Sequence, residues 1–358
     1  MAAEIDKTLF DAVIHNQIAQ GRYADQQVRD ILALMNRADK EILQKIANSK
    51  ADTFTRWRLD ALLAEVRRTT QDSYAEMQGA LKEEMGAFAA HSAEVAGAML
   101  ATQMPVRWNP VGMTDTQLAA IIDTTPISIG PDKKLLLEEI FSKMAAGKEE
   151  DIRGALRLGM VQGETVDEMT RRLKGTKAAK YTDGILEGNR RDMAAIVRSV
   201  VVNTGNAATQ AMYKENEEVV TGWIYVAVLD SKTCSVCWSE SGKTFPLGSG
   251  PMPIRHVSCR CASVPALKTW KELGFDMEEL QPGMRASSSG LVKSDISFQD
   301  WVGTQDKKTQ VELLGPARQK LFANGGLKLD RFTDNSGQLY TLKELKAKNS
   351  SAFARAFN

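Results

Sequence analysis

The sequence has few cysteines, few histidines and almost no net charge. Its 358 residues contain four cysteines and three histidines, and 46 Lys and Arg residues balance 45 Asp and Glu residues. Because the charges cancel, no global field attracts nucleic acid or an anionic membrane, and any such contact must come from a local patch. No run of about 18 apolar residues occurs, so we predict no membrane-spanning helix. The acidic N-terminus, with Glu4, Asp6 and Asp11, is unlike a signal peptide, so we expect the chain to start in the cytosol.

Proline is absent before Pro105, and this absence favours long helices in the first third of the chain. Apolar residues recur there at helical spacing, with charged residues on the opposite faces. We predict two or three long helices that form an N-terminal helical arm over residues 1–104, with polar breaks around 47–53. Prolines and glycines then interrupt residues 105–131, which we predict to be a linker.

The rest of the chain divides by composition into three further segments. Residues 132–270 combine helices, including a central one over 190–213, with a β-branched and aromatic strand over 219–229. Residues 271–297 contain a proline, glycines and serines and are predicted to be a flexible connector. Residues 298–358 return to amphipathic helical pieces and form a predicted helical C-terminal tail. At about 100–200 residues per domain, this length suits two or three domains.

All four cysteines fall in one 28-residue window beside a histidine. The motif is Cys234-x-x-Cys237, eighteen residues, and then His256-x-x-Cys259-Arg-Cys261. Two such turns supply the N and S donors that tetrahedral zinc prefers. We predict Cys234, Cys237, His256 and Cys259 as ligands, with Cys261 as the alternative to one of them, because a Cys-x-Cys turn does not easily place both sulfurs on one ion. The predicted fold class is mainly α with a small α+β zinc-knuckle core, long N-terminal helices and a helical C-terminal tail.

The predicted Zn²⁺ is structural, and two other interpretations of the motif compete with it. A catalytic zinc needs an open position and a general acid or base, and the only acidic residues near the loop are Glu240 and Asp230. Two disulfides are also possible with four cysteines, but the expected cytosolic start argues against them. A structural zinc explains how a glycine-rich polar loop folds, since zinc binding supplies on the order of 10–16 kcal/mol in zinc-finger peptides.

No other motif in the chain indicates catalysis. P-loop, GxSxG, HExxH and dinucleotide-binding patterns are all missing from the sequence. His15 and His91 lie in predicted helices without a partner cluster. Short basic groups are better explained as solvated helix faces than as nucleic-acid contacts; they are Arg67-Arg68, Lys133-Lys134, Arg171-Arg172 and Arg190-Arg191. We therefore expect no catalytic residues and no enzyme activity.

An ordered series of motifs resembles the phage Mu F-like minor head proteins, a family of phage head-morphogenesis proteins. The resemblance covers about residues 130–265, and the tail over 301–345 is similar to extensions in the same family. It is carried by Arg198, Asn203 and Asn206 on a helix, Gly222-Trp-Ile-Tyr225 on a strand, Asp230-x-x-Thr-Cys-x-x-Cys237, Gly242-x-x-Phe245 and Pro253-x-x-His-x-x-Cys-Arg-Cys261.

The resemblance implies a minor capsid protein of a tailed phage. Its partners would be the portal protein, other head proteins and the packaged DNA, and some members leave the particle with the genome. The expected location is the virion, in the head interior or at the portal vertex, after assembly in the host cytoplasm. Asp230 and Arg260 are expected to brace the knuckle from outside the ligand set. The alternatives are a packaged, toxin-like zinc-dependent hydrolase or nuclease and a DNA-binding module.

Overall fold

The structure, a computed structural model, describes residues 2–49, 56–130, 133–253, 255–278, 283–334 and 337–357. The chain is mainly helical, with 63% helix, twelve α-helices in the described ranges and small antiparallel sheets. This confirms the predicted fold class. No helix in these ranges combines the length and hydropathy that a membrane span requires.

Two helices of almost fifty residues each open the chain, as the missing prolines predict. The predicted break around 47–53 lies partly outside the described residues. The helices are α1 Ala2–Asn48, α2 Arg56–Gln103, α3 Asp115–Thr124, α4 Leu137–Gln162, α5 Val166–Lys174, α6 Ile185–Glu215, α7 Ser235–Glu240, α8 Phe298–Thr304, α9 Lys307–Leu314, α10 Pro316–Ala323, α11 Leu342–Lys348 and α12 Ser350–Phe357, with a 3₁₀ turn at Leu329–Arg331.

Seven short strands form three antiparallel sheets in the described residues. Two of these sheets are hairpins, β1 with β2 and β6 with β7, and the third has the order β4-β3-β5. The strands are β1 Ile127–Gly130, β2 Lys133–Leu135, β3 Val220–Val226, β4 Thr244–Pro246, β5 Ala262–Leu267, β6 Met284–Ser287 and β7 Gly290–Lys293.

Regular elements occur where the sequence predicted a linker and a flexible connector. The predicted linker over 105–131 contains α3 and β1, and the predicted connector over 271–297 contains the β6–β7 hairpin. In that hairpin Ser287 pairs with Gly290, which has a φ of 113°, so the serine and glycine run is a tight turn between two short strands. The predicted segment boundaries stay a prediction.

The chain folds as two compact units, each assembled from segments that are far apart in sequence. The first unit comprises residues 1–20, 90–114 and 205–358, and the second comprises 21–89 and 115–204. In the first unit β3 is the central strand of its sheet, with Trp223 opposite Phe245 of β4 and Pro265 of β5. Helices α8 to α12 of the same unit pack around the buried side chains of Trp301 and Phe332.

The second unit has an apolar core and a buried ion pair. Helices α1, α2, α4 and α6 contribute Met35, Met77, Phe141 and Val197 to that core. Among its buried polar groups, Lys148 Nζ lies 2.5 Å from Asp39 Oδ1, and the two side chains are 0% and 2% exposed.

Burial and charge act against each other at Lys148. Burial lowers the pKa of Lys148, and the attraction of Asp39 opposes that shift. Arg190 Nη2 lies 3.0 Å from the other oxygen, Oδ2, of Asp39. One buried carboxylate thus compensates two cations on two different helices, α4 and α6. Arg190 also pairs with Glu187 at 3.0 Å, so removal of Asp39 would leave Lys148 as the uncompensated charge.

We expect Asp39→Ala to lower the free energy of unfolding by roughly 3–5 kcal/mol, because it leaves buried Lys148 without its counter-charge. Glu76→Ala is the matched control, since Glu76 pairs with Arg37 on the surface, where the side chains are 50% and 64% exposed. That exposed pair is worth about 0–1 kcal/mol. Urea unfolding of the three proteins measures both costs, and equal costs would contradict the importance of the buried pair.

Candidate metal centre

The four cysteines and His256 are placed by two turns that flank the central sheet of the first unit. Strand β3 leads into a turn, and Cys234 is then the N-cap residue of α7. The backbone N–H of Cys237 donates to the Cys234 carbonyl at 3.1 Å, which puts both side chains at one end of this short helix. A second turn has the Cys259 N–H donating to the His256 carbonyl at 3.2 Å, just before β5 begins.

These turns bring the five predicted donors into two groups that share Cys237. Cys234, Cys237 and His256 form one group, and Cys237, Cys259 and Cys261 form the other, with the ligand atoms of each group within 4.8 Å of one another. Either group could hold a metal ion. Which four of the five donors bind it stays a prediction.

The separations within the cluster fit a tetrahedral ion with N and S ligands. Cys237 Sγ lies 3.3 Å from His256 Nε2 and 3.6 Å from Cys259 Sγ. With Zn–S near 2.3 Å and Zn–N near 2.0 Å, a tetrahedral zinc needs S···N separations of about 3.5 Å and S···S separations of about 3.8 Å. The donors therefore already stand at nearly the spacing that such an ion requires.

His256 presents the correct ring nitrogen to the cysteines. Its Nδ1 lies 2.9 Å from the Val257 carbonyl oxygen, which can only accept, so Nδ1 carries the proton and donates. Nε2 is then the atom directed at Cys237. A backbone carbonyl that fixes the tautomer in this way is the usual support of a metal-binding histidine.

The pKa shifts of the donors favour the binding of a cation within the cluster. Hydrogen bonds with Cys234 and Cys259 raise the pKa of His256 to about 11. The hydrogen bond with Cys237 lowers the pKa of Cys234 to about 4. In contrast, hydrogen bonds with Cys234, Cys259 and Cys261 raise the pKa of Cys237, and burial and the negative charge of Cys261 act in the same direction. Several thiolates can ionise together only when a positive charge lies among them, and a divalent ion supplies it.

The Cys259-Arg-Cys261 turn brings its two sulfurs together, although the sequence argument expected the turn to separate them. Both thiols lie within 4.8 Å of Cys237 and of each other, and all three are buried. Ser258, just before this turn, has a φ of 59°, a left-handed conformation that local spacing rules do not anticipate. Cys261 and Cys259 thus belong to the same donor group as Cys237.

The two residues expected to brace the knuckle lie against each other. Arg260 Nη1 donates to Asp230 Oδ2 at 2.8 Å, and Nη2 donates to Oδ1 at 3.0 Å. Asp230 also accepts from the Lys232 backbone N–H and from the Thr233 hydroxyl. Burial acts to raise the pKa of Asp230, but the contacts with Arg260 prevail and lower it. The geometry thus ties the turn before α7 to the turn that carries Cys259 and Cys261.

Three further residues hold the cluster in place, and sequence reasoning gave them no such role. The hydroxyl of Tyr225 on β3 donates to Cys237 Sγ at 3.5 Å. The amide of buried Asn206 on α6 donates to the carbonyls of Pro253 and Cys261 at 3.1 and 3.3 Å. Gln17 on α1 donates to the Arg260 carbonyl. The resemblance already singled out Tyr225 and Asn206, whereas nothing in the sequence around Gln17 signals its contact.

Glu240, the acid that a catalytic zinc would need, is engaged elsewhere. Its carboxylate lies 3.2 Å from Lys243 Nζ, and Glu240 belongs to neither donor group among the described residues. His15 and His91 also lie outside both groups.

Comparison with known families matches residues 150–264 to the family described as phage Mu protein F like protein. This segment, less than half of the chain, resembles the phage Mu F-like proteins. The match supports a phage head morphogenesis protein, and that family implies a location in the virion. No curated protein and no solved structure matches it.

The region that matches the family model contains the whole candidate metal centre. All five donors, the Asp230–Arg260 contact and the supporting residues Tyr225 and Asn206 fall between residues 150 and 264. Helix α1, with Gln17, lies outside the match. The site thus lies entirely within the segment that matches the family model.

We expect Asp230→Asn to lower the free energy of unfolding by about 1–3 kcal/mol, because the Arg260 guanidinium loses a charged acceptor that also closes the turn before α7. Asp25→Asn is the matched control: it weakens one exposed contact, between Arg198 Nε and Asp25 Oδ1 at 2.9 Å. That change should cost under about 1 kcal/mol. Urea unfolding compares the variants, and a neutral Asp230→Asn would show that the contact braces nothing.

Proposed function

We propose that this protein is a minor capsid protein of a tailed phage that docks at the portal vertex, with a structural zinc ion in its core. The observation that carries this proposal is the cluster of four thiols, three of them buried, and one imidazole inside the matched region. Its donors come from two turns, and the hydroxyl of Tyr225 on the central strand β3 contacts Cys237 Sγ. A metal site of this kind stabilises the fold. We expect such a site in a protein whose role is to bind other head proteins.

A closed donor set supports a structural role for the zinc. Both donor groups consist of cysteine and histidine alone, and Cys237, Cys259 and Cys261 are buried. Catalytic zinc sites keep an open position for water and a nearby acid or base. Here Glu240 pairs with Lys243. We propose that the protein has no enzymatic activity.

Strand β4 and the packing of Phe245 on Trp223 hold only part of the segment between the two turns. Gly242, Gly248 and Gly250 all adopt positive φ angles, which favour glycine and leave few side chains to pack. When bound, zinc would supply the cross-link that joins α7 to the turn before β5. The ion would be held by Cys237, His256 and two of the remaining thiols.

The portal vertex, other head proteins and packaged DNA are the proposed partners, as the family resemblance implies. The long helices α1 and α2 or the helical tail would reach the partner, because the metal centre itself lies in the core of the first unit. Ejection with the genome is proposed as the fate of the protein during infection.

We expect Cys237→Ser to abolish zinc binding and to lower the midpoint of thermal unfolding by more than about 10 °C, because Cys237 belongs to both donor groups and structural zinc contributes several kcal/mol of folding free energy. Elemental analysis of the purified chain should give one zinc for the wild type. Ser239→Ala, a change on the same helix at a residue outside both groups, is the matched control and should keep the zinc.

Two further variants identify the ligand set. If Cys234, Cys237, His256 and Cys259 bind the ion, Cys261→Ser keeps one zinc per chain and Cys234→Ser loses it. A Cys237→Ser protein with full zinc and an unchanged midpoint would refute the structural site.

The location in the particle is tested by quantitative mass spectrometry of full particles and of particles that have released their DNA. We expect a few copies in full particles and loss from the emptied ones, because the proposed protein leaves with the genome. Retention in both would identify a fixed component of the portal vertex instead. Absence from both would refute a virion component and favour an assembly factor or a packaged enzyme.

A further inference from the structure

The first unit contains a cavity of about 440 Å³ beside its central sheet. Its walls are mostly apolar and include Ile224 of β3, Val264 and Leu267 of β5, and Trp270. The volume lies within the range of small-molecule sites, which is roughly 300–1,000 Å³. The metal centre does not use this cavity, since none of the five donors lines it.

One cation in the wall of the cavity is buried and forms no salt bridge with any of the described residues. Arg285 of β6 is only 3% exposed. Its Nη2 donates to the Ile296 carbonyl at 2.7 Å, and its Nε is buried with no hydrogen-bond partner. No carboxylate of the described residues lies within 4.0 Å of the guanidinium. The side chain thus has one neutral acceptor where a charged group usually has several.

Burying an unpaired cation is costly, and the titration of Arg285 reflects that cost. Burial lowers its pKa to about 10, although the negative charge of Asp295 acts in the opposite direction. Asp295 is exposed, so solvent screens its attraction for the guanidinium. A charge in this environment is stabilised strongly by an anion that enters the same cavity, because the low dielectric makes the attraction larger than in water.

A second unsatisfied polar atom lies in the same wall. Ser294 is buried, and its hydroxyl has no hydrogen-bond partner. Buried hydroxyls are nearly always bonded, so this one is also short of an acceptor. The Ser294 hydroxyl and the Arg285 guanidinium are thus two hydrogen-bond donors in the wall of the mostly apolar cavity.

We propose that this cavity binds a carboxylate carried on an apolar group. The guanidinium fork of Arg285 matches the two oxygens of a carboxylate, and the Ser294 hydroxyl can donate to one of them. Ile224, Val264, Leu267 and Trp270 would surround the apolar part of the ligand. A free organic acid and the C-terminal end of a polypeptide both carry this chemistry.

Isothermal titration calorimetry with octanoate tests the proposal on the full chain. We expect saturable binding of octanoate and at least tenfold weaker binding of octanamide, which has the same shape without the charge. A short peptide that ends in leucine, with a free or an amidated C-terminus, distinguishes the two sources. Tighter binding of the free peptide than of octanoate would indicate the end of a polypeptide, and the reverse would indicate a small organic acid.

Three variants locate the binding. Arg285→Met should weaken octanoate binding at least tenfold, whereas Asp295→Asn should strengthen it, because it removes the competing negative charge at the cavity. Arg318→Met is the matched control: Arg318 also donates to a backbone carbonyl, that of Tyr340 at 2.7 Å, but does not line this cavity. It should leave octanoate binding unchanged.

The thermal stability of Arg285→Met separates a ligand site from a purely structural arginine. Without ligand we expect its unfolding midpoint to equal or exceed that of the wild type, because the variant removes an unpaired buried charge. Equal binding of octanoate and octanamide by the wild-type chain, or no binding of either, would overturn the proposal, and this comparison needs no variant to fold.

Discussion

Four thiols and an imidazole in one small volume cannot all adopt their metal-binding forms unless a cation lies among them. Neighbouring thiolates repel, and the contrary pKa shifts of Cys234 and Cys237 reflect that repulsion. Several elements of the first unit contact the donors that would surround this cation. Strand β3 places Tyr225 against the shared thiol, α6 places Asn206 against the carbonyl of Cys261, and the turn before α7 is joined to the second turn through Asp230 and Arg260.

The candidate metal centre was predictable because its signal is local. CxxC and HxxCxC are spacings along the chain, and each turn positions its donors with backbone hydrogen bonds of its own. The sequence also predicts long helices correctly from the missing prolines. The sulfur positions in the Cys259–Cys261 turn were less accessible, since they depend on the left-handed backbone of Ser258, and serine rarely adopts that conformation.

What the sequence does not reveal is mostly contact between distant segments. Lys148 lies 109 residues from Asp39, and Gln17 lies 243 residues from Arg260, so no periodicity or spacing connects either pair. The β6–β7 hairpin was missed for another reason, because its strands have only four residues each and its turn is rich in serine. Such segments form strands when another part of the chain covers them, which a local pattern does not record.

Two other cations of the protein, Lys148 and Arg260, differ from Arg285 in the groups that surround their charge. Lys148 is fully buried and has Asp39 at salt-bridge distance, and half-buried Arg260 has both oxygens of Asp230. Within the described residues these cations follow the rule that a charge taken out of water is paired. Arg285 departs from that rule in the wall of a cavity large enough for a ligand. Because no carboxylate of the described residues lies at salt-bridge distance from Arg285, an anion that enters the cavity is the partner we propose for it.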